Sequence, residues 1–265
     1  PMRGGGFDRF ERIGRLVDAA RPLGRLDARF ILQTAARDLV NDKIHSDPLA
    51  RPLTVDPAAP LFVHTSDTIN RNSSVSAILF EGAPSRGQAY LSTMWVILGQ
   101  PVAGAAVPVW PAAGKVPAPT TGPRTAPLND LALAVAAYLY PDQRGRMYQY
   151  LNVDRLRTFG GEGVLAKLLR VEDRAMERTA AKRAEWAAKK PSPAEMADFQ
   201  ESVAAEAYEA LKKEFKSGPE VTTACLSCHT EAAKQIQKTL HWRWIAPEDK
   251  EGKIGKAGLV VNNFC

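Results

Sequence analysis

Cysteine and histidine are scarce in this sequence, and every cysteine lies near its C-terminus. The 265 residues include 3 cysteines and 4 histidines, and no cysteine precedes Cys225. Thiol chemistry is therefore excluded from most of the chain. No run of about 18 apolar residues occurs either, so no membrane-spanning helix is predicted. The most apolar stretch, residues 128–140, includes Asn129 and Asp130 and is too short to span a bilayer.

The charge pattern lacks the basic stripe of a nucleic-acid-binding protein. The chain has 35 Lys and Arg against 29 Asp and Glu, a net charge of +6 and a pI of about 9.3. Its basic residues alternate with acidic ones, as in residues 172–178, which is typical of a solvated helical face. A hydrophobic content of 45% is enough for a globular core. We therefore predict a globular chain without a nucleic-acid partner.

Residues 225–229 carry the strongest chemical motif, a C-x-x-C-H sequence. Cys225 and Cys228 are spaced so that each thiol can add to one vinyl group of the same porphyrin. His229 then lies under the iron as its proximal ligand. The motif predicts covalently attached haem c, with its iron bound by His229.

Two other interpretations of the same motif are a redox-active cysteine pair and half of a zinc site. A thioredoxin-type pair belongs in a βαβ setting, which the surrounding sequence does not indicate. A tetrahedral zinc site needs a second pair of ligands, and Cys265 with His241 forms a poor one. Haem attachment is therefore favoured over both.

The sixth iron ligand is left open by the sequence. His241 follows His229 by 12 residues. In one straight helix this spacing gives a rise of about 18 Å, with the side chains roughly 120° apart. His241 would bind this iron only if the chain turned back; otherwise it would bind a neighbouring haem or pack beside Trp242. Other candidates are Met176, Met196 and a histidine of another chain. Trp242, with Trp244 two residues on, would pack against the porphyrin or in a core.

A haem motif of this type also predicts export, since bacteria attach such haems outside the cytoplasm. We therefore expect a periplasmic or extracellular location. The chain opens Pro-Met-Arg-Gly-Gly-Gly, without the apolar segment of a signal peptide. Either a leader has been removed or the chain is one piece of a longer product. The final Cys265 favours the second expectation.

Local patterns predict an α+β fold with three parts. Apolar periodicity indicates helices, and alternation of apolar and polar residues indicates strands. Ser192-Pro193 reads as a helix start, with a capping residue before a first-turn proline. Helices are predicted within residues 8–44 with a break at 21–24, and over 128–140, 162–189 and 192–215; strands are predicted around 75–79, 90–98 and 103–110. The predicted parts are a mixed helix and strand region over 1–160, a long antiparallel helical pair over 161–217, and a short, mostly irregular haem segment over 218–265.

The C-terminal motifs carry a resemblance to one family of cytochromes. Residues 221–265 resemble a haem segment of octahaem tetrathionate reductase-like multihaem c-type cytochromes, through the C-x-x-C-H motif, His241-Trp242 and the Asn-Asn-Phe-Cys run at 262–265. The resemblance implies electron transfer within a multihaem assembly and a redox partner or another haem-bearing chain. It also implies that Cys265 opens a further haem site. Tetrathionate reduction is not implied, because the catalytic haem of that family has no counterpart here.

A second resemblance covers residues 5–215. Its motifs are residues 70–77, 92–95, 98–101, 107–110, 150–152 and 160–163. They resemble the C-terminal part of N-terminal-nucleophile hydrolase-like proteins, relatives of acyl-coenzyme A:6-aminopenicillanic acid acyltransferase. That family has an αββα sandwich and a cysteine nucleophile. Pro1 has neither a thiol nor a hydroxyl, so the resemblance implies a catalytic segment missing upstream.

This second resemblance suggests a possible role for the Asn70-Arg71-Asn72 run. These residues would line a substrate or oxyanion pocket, or they would satisfy polar groups of loops and strand edges, which we favour. His45 and His64 stand alone in loop-like sequence and are expected to be surface or capping groups.

The functional expectation is an exported electron carrier, a subunit or fragment of a multihaem assembly. The alternative is the C-terminal portion of an acyltransferase or amidohydrolase. A third interpretation is a helical interaction module over residues 162–216. Whether the chain is an enzyme is left open.

Overall fold

The computed structural model describes residues 5–50, 60–141, 150–157 and 163–214. The chain divides at Phe215 into two units, and every described residue lies in the first, Pro1–Phe215. Helices and small antiparallel sheets make up the described part, which confirms the predicted α+β class. The predicted haem segment, 218–265, lies outside the described residues. Among the described helices, none is both long and apolar enough to cross a bilayer.

Five α-helices and five strands are described, together with short turns of 3₁₀ helix and one π-helix. The α-helices are α1 Gly5–Ala20, α2 Pro127–Leu139, α3 Val153–Arg157, α4 Val164–Ala188 and α5 Pro193–Glu214. The strands are β1 Phe62–His64, β2 Ser76–Glu81, β3 Thr93–Leu98, β4 Ala106–Val109 and β5 Tyr150–Asn152. The shorter helices are Arg21–Leu23, Phe30–Ala35, Asp42–Ile44, Arg86–Leu91, Pro111–Ala113 and Ala118–Thr120.

The strands form two antiparallel sheets, one in the order β2-β3-β4 and one of β1 with β5. β3 and β4 are buried on both faces, which explains their nearly continuous apolar sequences. One face joins the main core beneath α2 and α5 through Val96, Val107 and Val109. The other face packs with Leu32 and Met176 through Trp95, Ile97 and Ala106. β2 differs, because its residues alternate between exposed and half-buried.

The β3–β4 connection, residues 99–105, is entirely buried. Gly99 has a positive φ of 85°, and a Cβ placed there would lie 2.5 Å from the Cβ of Ala132. A Cβ at Gly104 would lie 2.6 Å from the carbonyl oxygen of Leu98. Both positions therefore require glycine, because a Cβ at either one would collide with neighbouring atoms. Gln100 lies between them in the interior.

α4 and α5 form the predicted long antiparallel pair. Arg178 contacts Ser202 on the facing helix, and Trp186 donates to Glu195 at 3.0 Å. The predicted helix start is also confirmed, because the Ser192 side chain accepts a hydrogen bond from the amide of Glu195 at 3.1 Å. α5 shares the main core with the sheet through Ala204, Ala207 and Leu211.

The helix at Phe30 is shorter than its apolar pattern predicts and ends at Ala35. Beyond it the backbone forms other hydrogen bonds. The Asp38 carboxylate accepts from the amide of Val40 at 3.2 Å, and the Asp38 carbonyl accepts from the amide of Asn70 at 3.0 Å. These bonds replace the helical ones, so the chain leaves the helix for the loop.

Candidate functional site

The predicted haem-binding residues lie outside the described part of the chain: Cys225, Cys228, His229, His241 and Trp242. They therefore stay predictions, as does the role of Cys265. Across the described ranges, no group of three or more His, Cys, Asp or Glu side chains is arranged to hold a metal ion.

The main chemical feature of the described residues is a buried polar cluster of Thr65, Asn70, Gln100 and Tyr140. Every member is almost fully buried. The Tyr140 hydroxyl lies 3.2 Å from Thr65 Oγ1 and accepts a hydrogen bond from Gln100 Nε2 at 2.9 Å. Gln100 Nε2 also donates to the carbonyl oxygen of Arg71 at 2.5 Å. The cluster thus connects the buried β3–β4 loop, the end of α2 and the segment between β1 and β2.

The environment of Tyr140 determines its protonation state. Burial raises the pKa of the Tyr140 hydroxyl above its ordinary value of 10.0; hydrogen bonds with Thr65 and Gln100, and a smaller contribution from the Asn70 side chain, offset part of this rise. The phenol is therefore neutral at physiological pH. It serves as a hydrogen-bonding group rather than as a base.

Asn70 organises the backbone around this cluster. Its side chain is fully buried, and its Oδ1 accepts from the amide of Val102 at 3.2 Å. Its Nδ2 makes no hydrogen bond of normal geometry to a described residue, although the side chain is close enough to Tyr140 to lower the pKa of the phenol. The following Asn72 accepts from Ser66 at 3.5 Å. These contacts support the interpretation that the Asn70–Asn72 run satisfies polar groups of loops.

The two isolated histidines occupy different settings. His45 is exposed and ends the Asp42–Ile44 turn with a positive φ of 49°, which fits the expected surface or capping role. His64 is half-buried, with its Nε2 3.3 Å from Ser66 Oγ and its ring edge against Tyr150 at 5.5 Å. No described carboxylate hydrogen-bonds to His64, so the Ser66–His64 contact lacks the third group that orients a catalytic base.

A buried ion pair between Arg37 and Glu172 is a feature that sequence reasoning missed. Their side chains are 2% and 0% exposed, and Arg37 donates to both carboxylate oxygens at 2.6 and 2.8 Å. The remaining donors of Arg37 reach the carbonyls of Leu32, Gly104 and Pro101 at 2.7 to 3.1 Å. Glu172 also accepts from the amide of Ala106 at 2.6 Å. All five guanidinium N–H groups are thus satisfied.

The burial of Glu172 corrects one expectation. Residues 172–178 read as a solvated helical face, yet Glu172 points into the interior while Arg174 and Glu177 are exposed. The local sequence has no sign of this, because the partner that makes burial possible lies 135 residues earlier.

Comparison of the chain with protein-family profiles, curated proteins and solved structures gives no match. The two resemblances therefore rest on the motifs themselves, and the functions that they imply are proposals.

Proposed function

We propose that this chain is an exported c-type haem protein that carries electrons. The observation that carries the proposal is the C-x-x-C-H motif at residues 225–229. Cys225 and Cys228 provide the two thioether anchors, and His229 provides the proximal nitrogen. Two thiols and an adjacent imidazole are the donor set that this cofactor requires. The bound haem would supply a one-electron redox centre.

The residues after the motif support membership of a multihaem assembly. His241-Trp242 and the terminal Asn262–Cys265 run match the multihaem resemblance in order along the chain. The proposed partner is another haem-bearing chain or a redox partner, and the proposed location is periplasmic or extracellular. His241 is proposed as an iron ligand within this assembly, with Trp242 beside the porphyrin.

Covalent haem content tests the proposal directly. The full chain would be exported in a bacterium with c-type maturation, then examined by acid-acetone extraction, pyridine haemochrome spectroscopy and intact mass. We expect a c-type α band, haem that resists extraction, and a mass increase of one haem. Haem that is absent, or that is fully extracted, contradicts the proposal.

Matched variants distinguish haem attached at Cys225 and Cys228 from haem bound elsewhere on the chain. Cys225→Ala with Cys228→Ala should abolish covalent haem. Cys265→Ser removes a thiol outside the motif and should retain the full mass increase. Equal haem loss in both variants would show that attachment does not depend on the proposed cysteines.

A second candidate is the C-terminal portion of an N-terminal-nucleophile acyltransferase or amidohydrolase. One observation favours it: two motifs of that resemblance, residues 70–77 and 98–101, meet in the buried polar cluster through Gln100 and the carbonyl of Arg71. Sequencing the source gene upstream of residue 1 tests this candidate. A reading frame that encodes a cysteine behind a processing site supports it, and a start codon immediately upstream excludes it.

A further inference from the structure

An exposed apolar pair lies on one face of strand β2. Ile78 is 54% exposed and Phe80 is 73% exposed, and both point to the same side because side chains alternate along a strand. On β3 and β4 this face is covered by the main core, but over β2 it is open. Together they form a small exposed apolar patch beside the free edge of the sheet.

The backbone of β2 presents a hydrogen-bonding edge at the same residues. β2 pairs with β3 along one edge only, and no other described strand pairs with it. The amide of Gly99 donates to the carbonyl of Val75 at 3.0 Å, so the odd-numbered residues of β2 direct their backbone groups to β3. The N–H and C=O groups of Ser76, Ile78 and Phe80 therefore point away from β3. No described residue hydrogen-bonds to them.

We propose that β2 is a self-association edge, where β2 of a second copy adds as an antiparallel strand. A two-fold axis at Leu79 places Ile78 opposite Phe80 of the second copy, and the reverse pair follows by symmetry. The pairing aligns the free backbone groups of both strands. It also covers the exposed apolar pair of each copy with that of the other.

Charge is compatible with this register. Glu81 is the only charged residue of the strand, and it is held within its own chain by Arg183 and by Trp95, whose Nε1 donates at 3.0 Å. In the proposed register Glu81 lies opposite Ala77 of the second copy. No like charges therefore face each other across the new pair.

The composition of β2 also favours a second copy. Natural edge strands are usually protected from pairing by lysine, proline or a bulge, and Ser76–Glu81 has none of these. Recognition of a foreign extended peptide normally uses pockets for alternate side chains. Neither Ile78 nor Phe80 lines the clefts beside Arg174, Phe30 or Thr179. The self-complementary edge therefore fits an identical strand better.

The size of the exposed apolar patch determines how strong the proposed dimer should be. Ile78 and Phe80 together expose roughly 250 Å² of apolar surface per copy, judged from the areas that such side chains bury. A stable interface buries about 800 Å² per partner. We therefore expect a weak dimer that forms as protein concentration rises.

Sedimentation velocity of the full chain across a hundredfold concentration range tests the proposal. The wild-type chain should shift from monomer towards dimer, and Phe80→Lys should be monomeric throughout. Val75→Lys is the matched control, because Val75 is 78% exposed but precedes β2 and does not take part in the proposed Ile78–Phe80 pairs. Circular dichroism should show that both variants keep their secondary structure.

Each outcome decides the proposal. A wild-type chain that is monomeric at every concentration overturns it, and the edge then serves another partner or none. Dimerisation that survives both Phe80→Lys and Ile78→Lys also overturns it, because association then uses another surface. Loss of the dimer in Val75→Lys to the same extent as in Phe80→Lys would also overturn it, because association would then depend on general strand stability rather than on the exposed face of β2.

Discussion

At the residue scale, two buried polar features connect separate parts of the described structure: the Arg37–Glu172 ion pair and the hydroxyl of Tyr140. Arg37 and Glu172 join the helix at Phe30, the buried β3–β4 loop, β4 and α4 in one hydrogen-bond network. Tyr140 joins the loop to the end of α2 through Gln100. Burying a charge or a hydroxyl costs free energy, which its hydrogen bonds and counter-charge offset.

Removing one member of the ion pair should destabilise the protein strongly. Arg37→Met would leave the Glu172 carboxylate buried without its counter-charge, which costs about 3 to 5 kcal/mol of unfolding free energy. Urea unfolding followed by circular dichroism measures the loss. Glu177→Gln, at an exposed position of the same helix, should change stability by less than about 0.5 kcal/mol. Equal stability of Arg37→Met and wild type would contradict the structural role.

Tyr140→Phe should lower stability and change its pH dependence. Loss of the hydroxyl removes hydrogen bonds to Gln100 and Thr65, with an expected cost of about 1 to 2 kcal/mol. The pKa of Tyr140 is raised in the folded state above its ordinary 10.0. Its contribution is therefore complete below pH 10.0 and declines above it, because the unfolded chain releases the proton first. Unfolding free energies from pH 8 to 11 should converge between wild type and variant at the alkaline end.

At the element scale, the buried β3–β4 connection determines how the sheet meets α2. Its two glycines allow the loop to pass directly beneath Ala132. The loop carries Gln100 into the polar cluster and accepts the Arg37 donors at Pro101 and Gly104. The conformation of this loop therefore affects both the Arg37–Glu172 ion pair and the polar cluster around Tyr140.

Gly99→Ala should destabilise the protein more than Gly114→Ala, although both glycines have a positive φ. Gly99 combines a φ of 85° with a predicted clash against Ala132, whereas Gly114 has a φ of 65° and open space around its Cα. Gly114→Ala should cost about 1 to 2 kcal/mol from the left-handed conformation alone. Gly99→Ala should cost about 2 kcal/mol more, because overpacking is added. Thermal and urea unfolding of both variants give the difference, and similar costs would contradict the packing argument.

At the scale of the whole molecule, the hydrophobic clusters of the described unit are built from its own residues. Their buried members run from Leu32 to Leu211 and belong to the described residues. The Pro1–Phe215 unit is thus compact around a hydrophobic core of its own.

Removal of the proposed haem should therefore leave this unit folded. We expect Cys225→Ala with Cys228→Ala to lose covalent haem yet keep the helical circular dichroism signal of the long helices. The cooperative unfolding midpoint of that signal should shift by less than about 3 °C, since neither substitution changes a residue of the described hydrophobic clusters. Cys265→Ser serves as the haem-containing comparison. Collapse of the helical signal in the double variant would show that haem supports the fold of this unit.

Elements with strong local patterns were predictable from the sequence. The long helices α4 and α5 follow from helix-forming composition and the Ser192 cap, and β2 follows from alternation. The helix at Phe30 was predicted to be longer than it is, because the local sequence does not show that Asp38 bonds to a distant loop instead. The buried polar cluster was not predicted, since its four members come from separate parts of the chain.

The sequence by itself is the basis of the covalent chemistry proposed for the C-terminal motif, because two thiols and an imidazole would act through local spacing. It also determined the class of fold, because apolar periodicity is a local property. Only the tertiary structure decided that Glu172 is buried and that Ile78 and Phe80 are exposed. Their sequence patterns predict the reverse tendency, since charge favours water and apolar side chains favour the core. Burial depends on what the rest of the chain places opposite a residue: Arg37 faces Glu172, whereas Ile78 and Phe80 stay exposed beside the described core.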